Sequence, residues 1–207
     1  MFYCMDDPVT QPRSGNAIRS PKVASRRNEV RGRLLKTAAR MFAEQGHSKV
    51  SVEELIETVG ISRATFYGFF ANKTELAANI LLPVFDSGIT ALNSKLPDNA
   101  FALAERLIEL YLELWKKHSH ALLLFSQLDS SLFSYIEKPH QDFGKAIMNI
   151  LQKIKDAGLL RTNDASLSYL VLAKTGIPLL LLYHKHADFE RIYKESMLAL
   201  LINTTNT

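Results

Sequence analysis

An all-α fold follows from three features of this 207-residue sequence. Apolar residues recur at helical spacing in one segment after another, from Val30 to Leu200. No segment sustains the apolar-polar alternation of a half-buried strand, and capping residues stand where the periodic runs begin and end. An apolar content of 47% lets a chain of this length bury a substantial core, within the range of one to two small domains.

Residues 1–24 are rich in Pro, Ser, Asn and Arg and carry too little apolar surface to offset chain entropy, so a disordered basic arm is expected there. From about Arg26 the pattern turns helical. Val30, Leu34, Ala38 and Phe42 form one stripe, Leu35 and Ala39 widen it, and Gly46 stops it. Ser51 and Glu54 make a capping-box signature for a second helix, whose buried face is Val52, Leu55, Ile56 and Val59. Gly60 supplies a turn, and Ser62 is placed to N-cap a third helix over residues 62–70. Asn72 with Glu75 offers a second capping box, for a helix running toward Leu82.

Beyond Pro83 the spacing predicts only helices. Leu103, Leu107, Leu110, Tyr111 and Leu114 mark one; residues 121–136 suggest another, which the Ser130-Ser131 pair could break. Phe143, Ile147, Ile150, Leu151 and Ile154 mark a helix ending at Gly158. A long helix is expected over residues 164–185, and Phe189, Ile192, Tyr193, Met197 and Leu200 mark the last. The expected organisation is a three-helix helix-turn-helix unit over residues 25–80 and a larger helical body over residues 81–207.

The net charge of +4 is unevenly placed: up to residue 75 there are 12 basic and 8 acidic side chains, and beyond it 13 of each. A local positive field of that kind suits a polyanion. The single Cys4 rules out an intrachain disulfide framework and fits a reducing cytoplasm. No secretory signal is recognisable at the start, and no window reaches about 18 uncharged apolar residues, so no membrane association is expected.

On a third helix over residues 62–70, Phe66 and Phe70 fall on one side and Ala64 and Gly68 on the other. With the phenylalanines buried, the outward face has a small centre flanked by Arg63, Tyr67 and Thr65. A small centre lets a helix approach the floor of the major groove, an alanine methyl can touch a thymine methyl, and Arg63 can reach a guanine edge or a phosphate. Hydroxyls of Thr65 and Tyr67 suit phosphate oxygens, which fix register without carrying sequence information. Lys73 stands in the first turn of the following helix, where its charge and the free N–H groups could hold another phosphate.

These residues resemble the N-terminal domain of the TetR family of transcriptional regulators. The likeness runs from about Arg26 to Ile80 and includes Phe42-Ala43-Glu44-Gln45-Gly46, Val50-Ser51-Val52, Gly60-Ile61-Ser62-Arg63-Ala64-Thr65-Phe66-Tyr67 and Asn72-Lys73-Thr74-Glu75-Leu76. The resemblance implies Tyr67 and Lys73 as phosphate clamps, Thr65 as a further phosphate or base contact and Arg63 as a base reader. Lys49, Ser51, Ser62, Ala64 and Gly68 complete the candidate DNA-binding surface. Gly68 departs from the family, which more often has a larger residue there, and a glycine inside a helix costs about 1 kcal/mol relative to alanine.

The resemblance also implies a C-terminal body that encloses an effector pocket and dimerises through its last two helices. Tyr111, Trp115, Phe125, Phe133, Phe143 and Tyr169 are the candidate pocket aromatics, suited to a small apolar or amphipathic molecule. Leu167, Leu170, Val171, Leu179, Leu182, Phe189, Ile192, Tyr193 and Met197 are the candidate homodimer surface. Pro83 falls where the DNA-binding unit should join the body, as a joint for ligand-induced movement. Two recognition helices about 34 Å apart or somewhat farther would read a near-palindromic operator in double-stranded DNA.

The expectation is therefore a cytoplasmic, ligand-responsive regulator, a repressor by resemblance. The alternatives are a helical protein that sequesters a ligand, or an architectural DNA-binding protein without an inducer. A plain tail and a DNA-tracking arm both remain open for residues 13–22. No catalytic residue or cofactor is expected, because the sequence lacks a Gly-rich phosphate loop, a His-Glu-x-x-His motif and a nucleophile elbow. The pairs His118/His120 and His184/His186 lie two apart, which on a helix points the rings to different faces, so no metal site is expected.

Overall fold

The computed structural model describes residues 21–127 and 130–203. These form eight helices: α1 (Pro21–Gln45), α2 (Val52–Val59), α3 (Arg63–Tyr67), α4 (Lys73–Leu92), α5 (Ala100–Phe125), α6 (Ser130–Asp156), α7 (Ala165–Tyr183) and α8 (Phe189–Leu201). The all-α expectation holds. The only β pairing among the described residues is an isolated antiparallel bridge between Leu160 and Ile202, which ties the end of α8 to the loop after α6.

Helices α1 to α3 and the start of α4 enclose one small core, with Leu34, Phe42, Leu55, Phe66 and Leu76 fully buried. The expected caps are present. The Ser51 hydroxyl accepts from the Glu54 N–H at 3.1 Å, and the Glu54 carboxylate accepts from the Ser51 N–H at 2.6 Å. The bond from the Ser51 N–H, and after it one from the Ser51 hydroxyl to the same carboxylate at 2.7 Å, hold the Glu54 carboxyl below its ordinary value. Gly60 ends α2 with φ of +71°, a left-handed conformation that glycine adopts without steric penalty. At α4 the Asn72 side chain accepts from the Glu75 N–H at 2.8 Å, but the Glu75 carboxylate accepts from the Ala71 N–H at 2.6 Å, one residue before the cap, so the expected second box is only half formed.

Three boundaries differ from expectation. Helix α1 begins at Pro21, so residues 21–24 of the expected disordered arm are helical, with proline at the first helical position, where its missing N–H is harmless. The rest of that arm lies outside the described residues. The third helix is only five residues long, because the chain turns at Gly68. Helix α4 passes straight through Pro83 and ends at Leu92, so it belongs to both the helix-turn-helix unit and the body.

An interior proline costs a helix roughly 3 kcal/mol. Burial of Leu81, Val84 and Phe85 around it, at roughly 1.5–3 kcal/mol each, outweighs that cost. In the body, α4 packs on α5 and α6, and α7 and α8 close the other side against α5. Helix α5 kinks at His118, whose φ of −134° is non-helical, and the expected helix over residues 121–136 divides between α5 and α6.

Candidate DNA-binding surface and interior cavity

Helix α3 presents the outward face that its sequence implies. Phe66 and Phe70 are buried beneath it, while Ser62, Arg63, Ala64 and Gly68 are exposed and Tyr67 is 53% exposed. Ser62 caps the helix through the Thr65 N–H at 3.1 Å, and the two hydroxyls lie 2.9 Å apart. That bond holds Thr65 in one rotamer and orients its hydroxyl toward the start of the helix. Arg63 forms a 2.5 Å ion pair with Glu53 of α2, and both side chains are more than half exposed. A pair so open to water is worth little, so the guanidinium is available to a stronger anionic partner.

Gly68 is the C-cap of α3, so the penalty for an interior glycine does not apply. A Cβ there would lie 3.1 Å from the Ala64 carbonyl oxygen, closer than side chains normally tolerate. Its own carbonyl accepts a 2.6 Å hydrogen bond from Arg27 of α1. Gly68 therefore shapes the exit of the recognition helix, and it has no side chain with which to read a base.

Lys73 differs more sharply from expectation. Its ammonium donates to the carbonyls of His47 and Val50, both at 2.7 Å, and so braces the turn between α1 and α2. Burial lowers its pKa, with the nearby Glu54 charge opposing the shift. Two of its three N–H donors are thus engaged inside the protein, a bracing role that the phosphate-clamp expectation did not include. Ser51 is likewise engaged as a cap, whereas Lys49 beside it is exposed.

The structure adds a feature that the motif did not show. Arg27 and Arg31 stand one turn apart on α1, and their guanidinium groups lie over the rings of Phe69 and Phe70, at 4.8 and 5.2 Å from the centroids. Arg31 also donates to Asn79 of α4 at 2.7 Å. The two arginines fasten the α3–α4 connection to α1, and an open groove of about 1080 Å³ runs between α1 and α3, with Lys22, Arg26 and Arg27 along it. The available signal was two arginines four apart matched by the adjacent pair Phe69-Phe70.

Inside the body, Tyr111, Phe125, Phe143 and Tyr169 line an interior cavity of about 80 Å³ together with Phe85, His140 and aliphatic side chains. Two of the six expected aromatics do not. Trp115 is buried against His184, at 5.2 Å between rings, because α5 turns it toward the end of α7. Phe133 is 37% exposed and meets the cavity only through an edge-on contact with His140 at 5.3 Å.

Residues 34–80 match the model of bacterial regulatory proteins of the tetR family. That segment is a TetR-family DNA-binding domain. Over 163 residues it is 29% identical to the transcriptional repressor KstR2 of Mycobacterium tuberculosis, covering 74% of this chain and 81% of that one. The solved structure of the ketosteroid transcriptional regulator KstR2 from the same organism superposes with a TM-score of 0.68 at 22% identity, covering 84% of this chain and 95% of that one. FadR of Bacillus halodurans, a fatty acid degradation regulator, gives 0.69 at 14% identity, over 83% and 94%. These likenesses confirm the fold and identify the chain as a DNA-binding transcriptional regulator.

The last two helices leave one apolar face uncovered. Leu167, Leu170 and Leu182 of α7 are 53%, 52% and 70% exposed. Val171, Leu179, Phe189 and Ile192 are partly buried around them. Tyr193 and Met197 do not belong to that surface: both are fully buried, because α8 turns them inward onto α5 and α7. By length and composition α4 and α7 could each cross a membrane. Half of α4 is buried in the core, however, and α7 carries Lys174.

Proposed function

We propose that this TetR-family regulator is a cytoplasmic homodimeric repressor that covers a near-palindromic operator and leaves it when a small molecule occupies the body. The observation that carries the reading is α3 itself: two buried phenylalanines beneath an exposed ridge of Ser62, Arg63, Ala64 and Tyr67, beside a groove edged by Lys22 and Arg26. Arg63 reads a base edge in this account. Tyr67, Thr65, Lys49 and the basic end of α1 hold phosphates, while Lys73 and Arg27 keep α3 in place. Repression is the role named for KstR2, and the exposed leucines of α7 supply a face that a second copy would cover.

The joint between ligand and DNA is α4. Lys73 lies at its DNA-proximal end, and Leu81, Val84 and Phe85 of the same helix line the cavity. Pro83 lies within the cavity-lining stretch of the helix and borders a surface groove of about 340 Å³ against Lys117 and His118 at the α5 kink. Selection of bound duplexes from a random pool tests the reading. Enrichment of a two-fold-symmetric sequence is expected, and salt-steep binding without sequence preference would overturn it in favour of an architectural role.

A further inference from the structure

The body cavity has a composition that restricts what can enter it. Among the described residues no Asp, Glu, Lys or Arg lines it, so a charged ligand would lose its hydration with no counter-charge from them to replace it. Its aromatic faces, Phe85, Phe125 and Phe143, favour a flat apolar partner through offset or edge-to-face contact. Yet three polar side chains also face it. Tyr111, Tyr169 and His140 make no hydrogen bond to any described residue, which leaves two phenol O–H donors and an imidazole without partners in one small space.

The walls that carry these groups are firmly seated. A Cβ at Gly144 would lie 2.7 Å from the Tyr169 hydroxyl, one at Gly176 2.8 Å from the Tyr111 ring, and one at Gly88 2.5 Å from Phe143. Three helices thus use glycine to let an aromatic ring lie back, and a larger residue at any of them would push that ring into the cavity. His140 stacks on Phe125 at 6.0 Å with an interplanar angle of 18° and meets Phe85 edge-on at 6.0 Å, which fixes its plane. Burial pushes its pKa down, so the neutral imidazole offers one donor and one acceptor.

Size sets the remaining limit. The cavity of about 80 Å³ is far larger than the roughly 10–15 Å³ that admits one water, and smaller than the roughly 150 Å³ apolar cavity that takes up benzene. A single ring is therefore the most it can accept, and only with a small outward shift. Among the partly buried lining residues, His140 is in contact with the exposed Phe133, which gives the shift room on that side.

Building on the ligand-released reading above, we propose that the cavity binds an uncharged molecule that presents one six-membered ring with a single hydroxyl or carbonyl. The ring lies among Phe85, Phe125 and Phe143, and the oxygen hydrogen-bonds to His140 or to the Tyr111/Tyr169 pair.

Calorimetry on the full chain without DNA, with phenol, benzene and benzoate as probes, tests this. Phenol should bind about 5- to 30-fold tighter than benzene, the effect of one or two hydrogen bonds, and benzoate should bind more weakly than phenol by at least as much. His140→Phe keeps the ring contacts and should narrow the phenol advantage while leaving benzene affinity within about twofold. Gly144→Ala should weaken both by driving Tyr169 inward, with thermal unfolding used to confirm that each variant folds.

Equal binding of phenol and benzene would overturn the proposal, as would benzoate binding as tightly as phenol. So would the absence of heat from every probe in a protein that still binds its selected duplex, since the cavity would then hold only water; the regulator reading would survive that result. Phenol binding that leaves the duplex occupied would instead uphold the site and reject ligand release.

Discussion

Replacing Lys73 with methionine separates two jobs for one cation. Methionine preserves the length of the stem and its helix propensity but removes both 2.7 Å donations, to the His47 and Val50 carbonyls. Charge-assisted hydrogen bonds contribute about 1.5–3 kcal/mol each when shielded. Lys73 is only partly buried, and water can reach the freed carbonyls, so the joint loss should be about 1–3 kcal/mol. At roughly 2–4 °C per kcal/mol for a chain of this size, thermal unfolding without DNA should shift down by roughly 2–12 °C. Operator affinity should fall as well, because the turn before α2 loses its brace, but the slope of log affinity against log salt should stay unchanged. An unchanged unfolding temperature with a salt slope shallower by about one would refute this reasoning and restore Lys73 as a direct phosphate clamp.

Arg63→Ala should relax sequence preference at one base pair by roughly 1–3 kcal/mol, read from competition with operator variants, and leave the unfolding temperature unchanged because its ion pair is exposed. Glu53→Gln, which removes the competitor for that guanidinium, should raise operator affinity. Leu170→Glu with Leu182→Glu should convert dimer to monomer in sedimentation, and a dimer that persists would move the interface elsewhere. Pro83→Ala should alter operator affinity or its response to ligand in anisotropy titrations, and no change in either would remove the proline from the coupling path. Urea midpoints should fall as pH drops below about 6.5. Burial keeps His118 and His140 neutral in the folded state, with Lys117 adding to the effect at His118, so the unfolded chain takes up protons that the folded one refuses. His140→Phe should lessen that slope.

Local chemistry was legible wherever one residue fixes one backbone group. The second and last helices, the caps at Ser51, Ser62 and Asn72, and the burial of Phe66 and Phe70 could all be read in advance. Failures came where tertiary packing decides. Pro83 signalled an end to α4, but burial on α5 and α6 carries the helix through. Helix α7 is apolar on nearly every side, so periodicity could not separate its inward Leu172 and Leu180 from its outward Leu170 and Leu182. In α8 the stripe of Tyr193, Met197 and Leu201 is a core stripe, and no property of the helix alone distinguishes that from an interface. Trp115 and Phe133 failed as pocket residues for the same reason: aromatic bulk is visible in a sequence, but its direction is not.

The same limit explains why the recognition surface is held by residues that no helix-turn-helix pattern specifies. A five-residue helix contributes too few internal hydrogen bonds to be stable alone. Its direction must therefore come from its ends. Ser62 fixes one end through Thr65, and Arg27 fixes the other by donating to Gly68 while covering Phe69. Arg31 extends the tie to Asn79 of α4, whose amide in turn donates to the Glu75 carbonyl at 2.9 Å. The orientation of α3 is thus referred to α1 and α4 together, and α4 is the helix that reaches the cavity. On the proposed reading, a ring entering beside Phe85 need not act on α3 directly: a small rotation of α4 against α1 changes the frame to which the Gly68 end of the recognition helix is fastened.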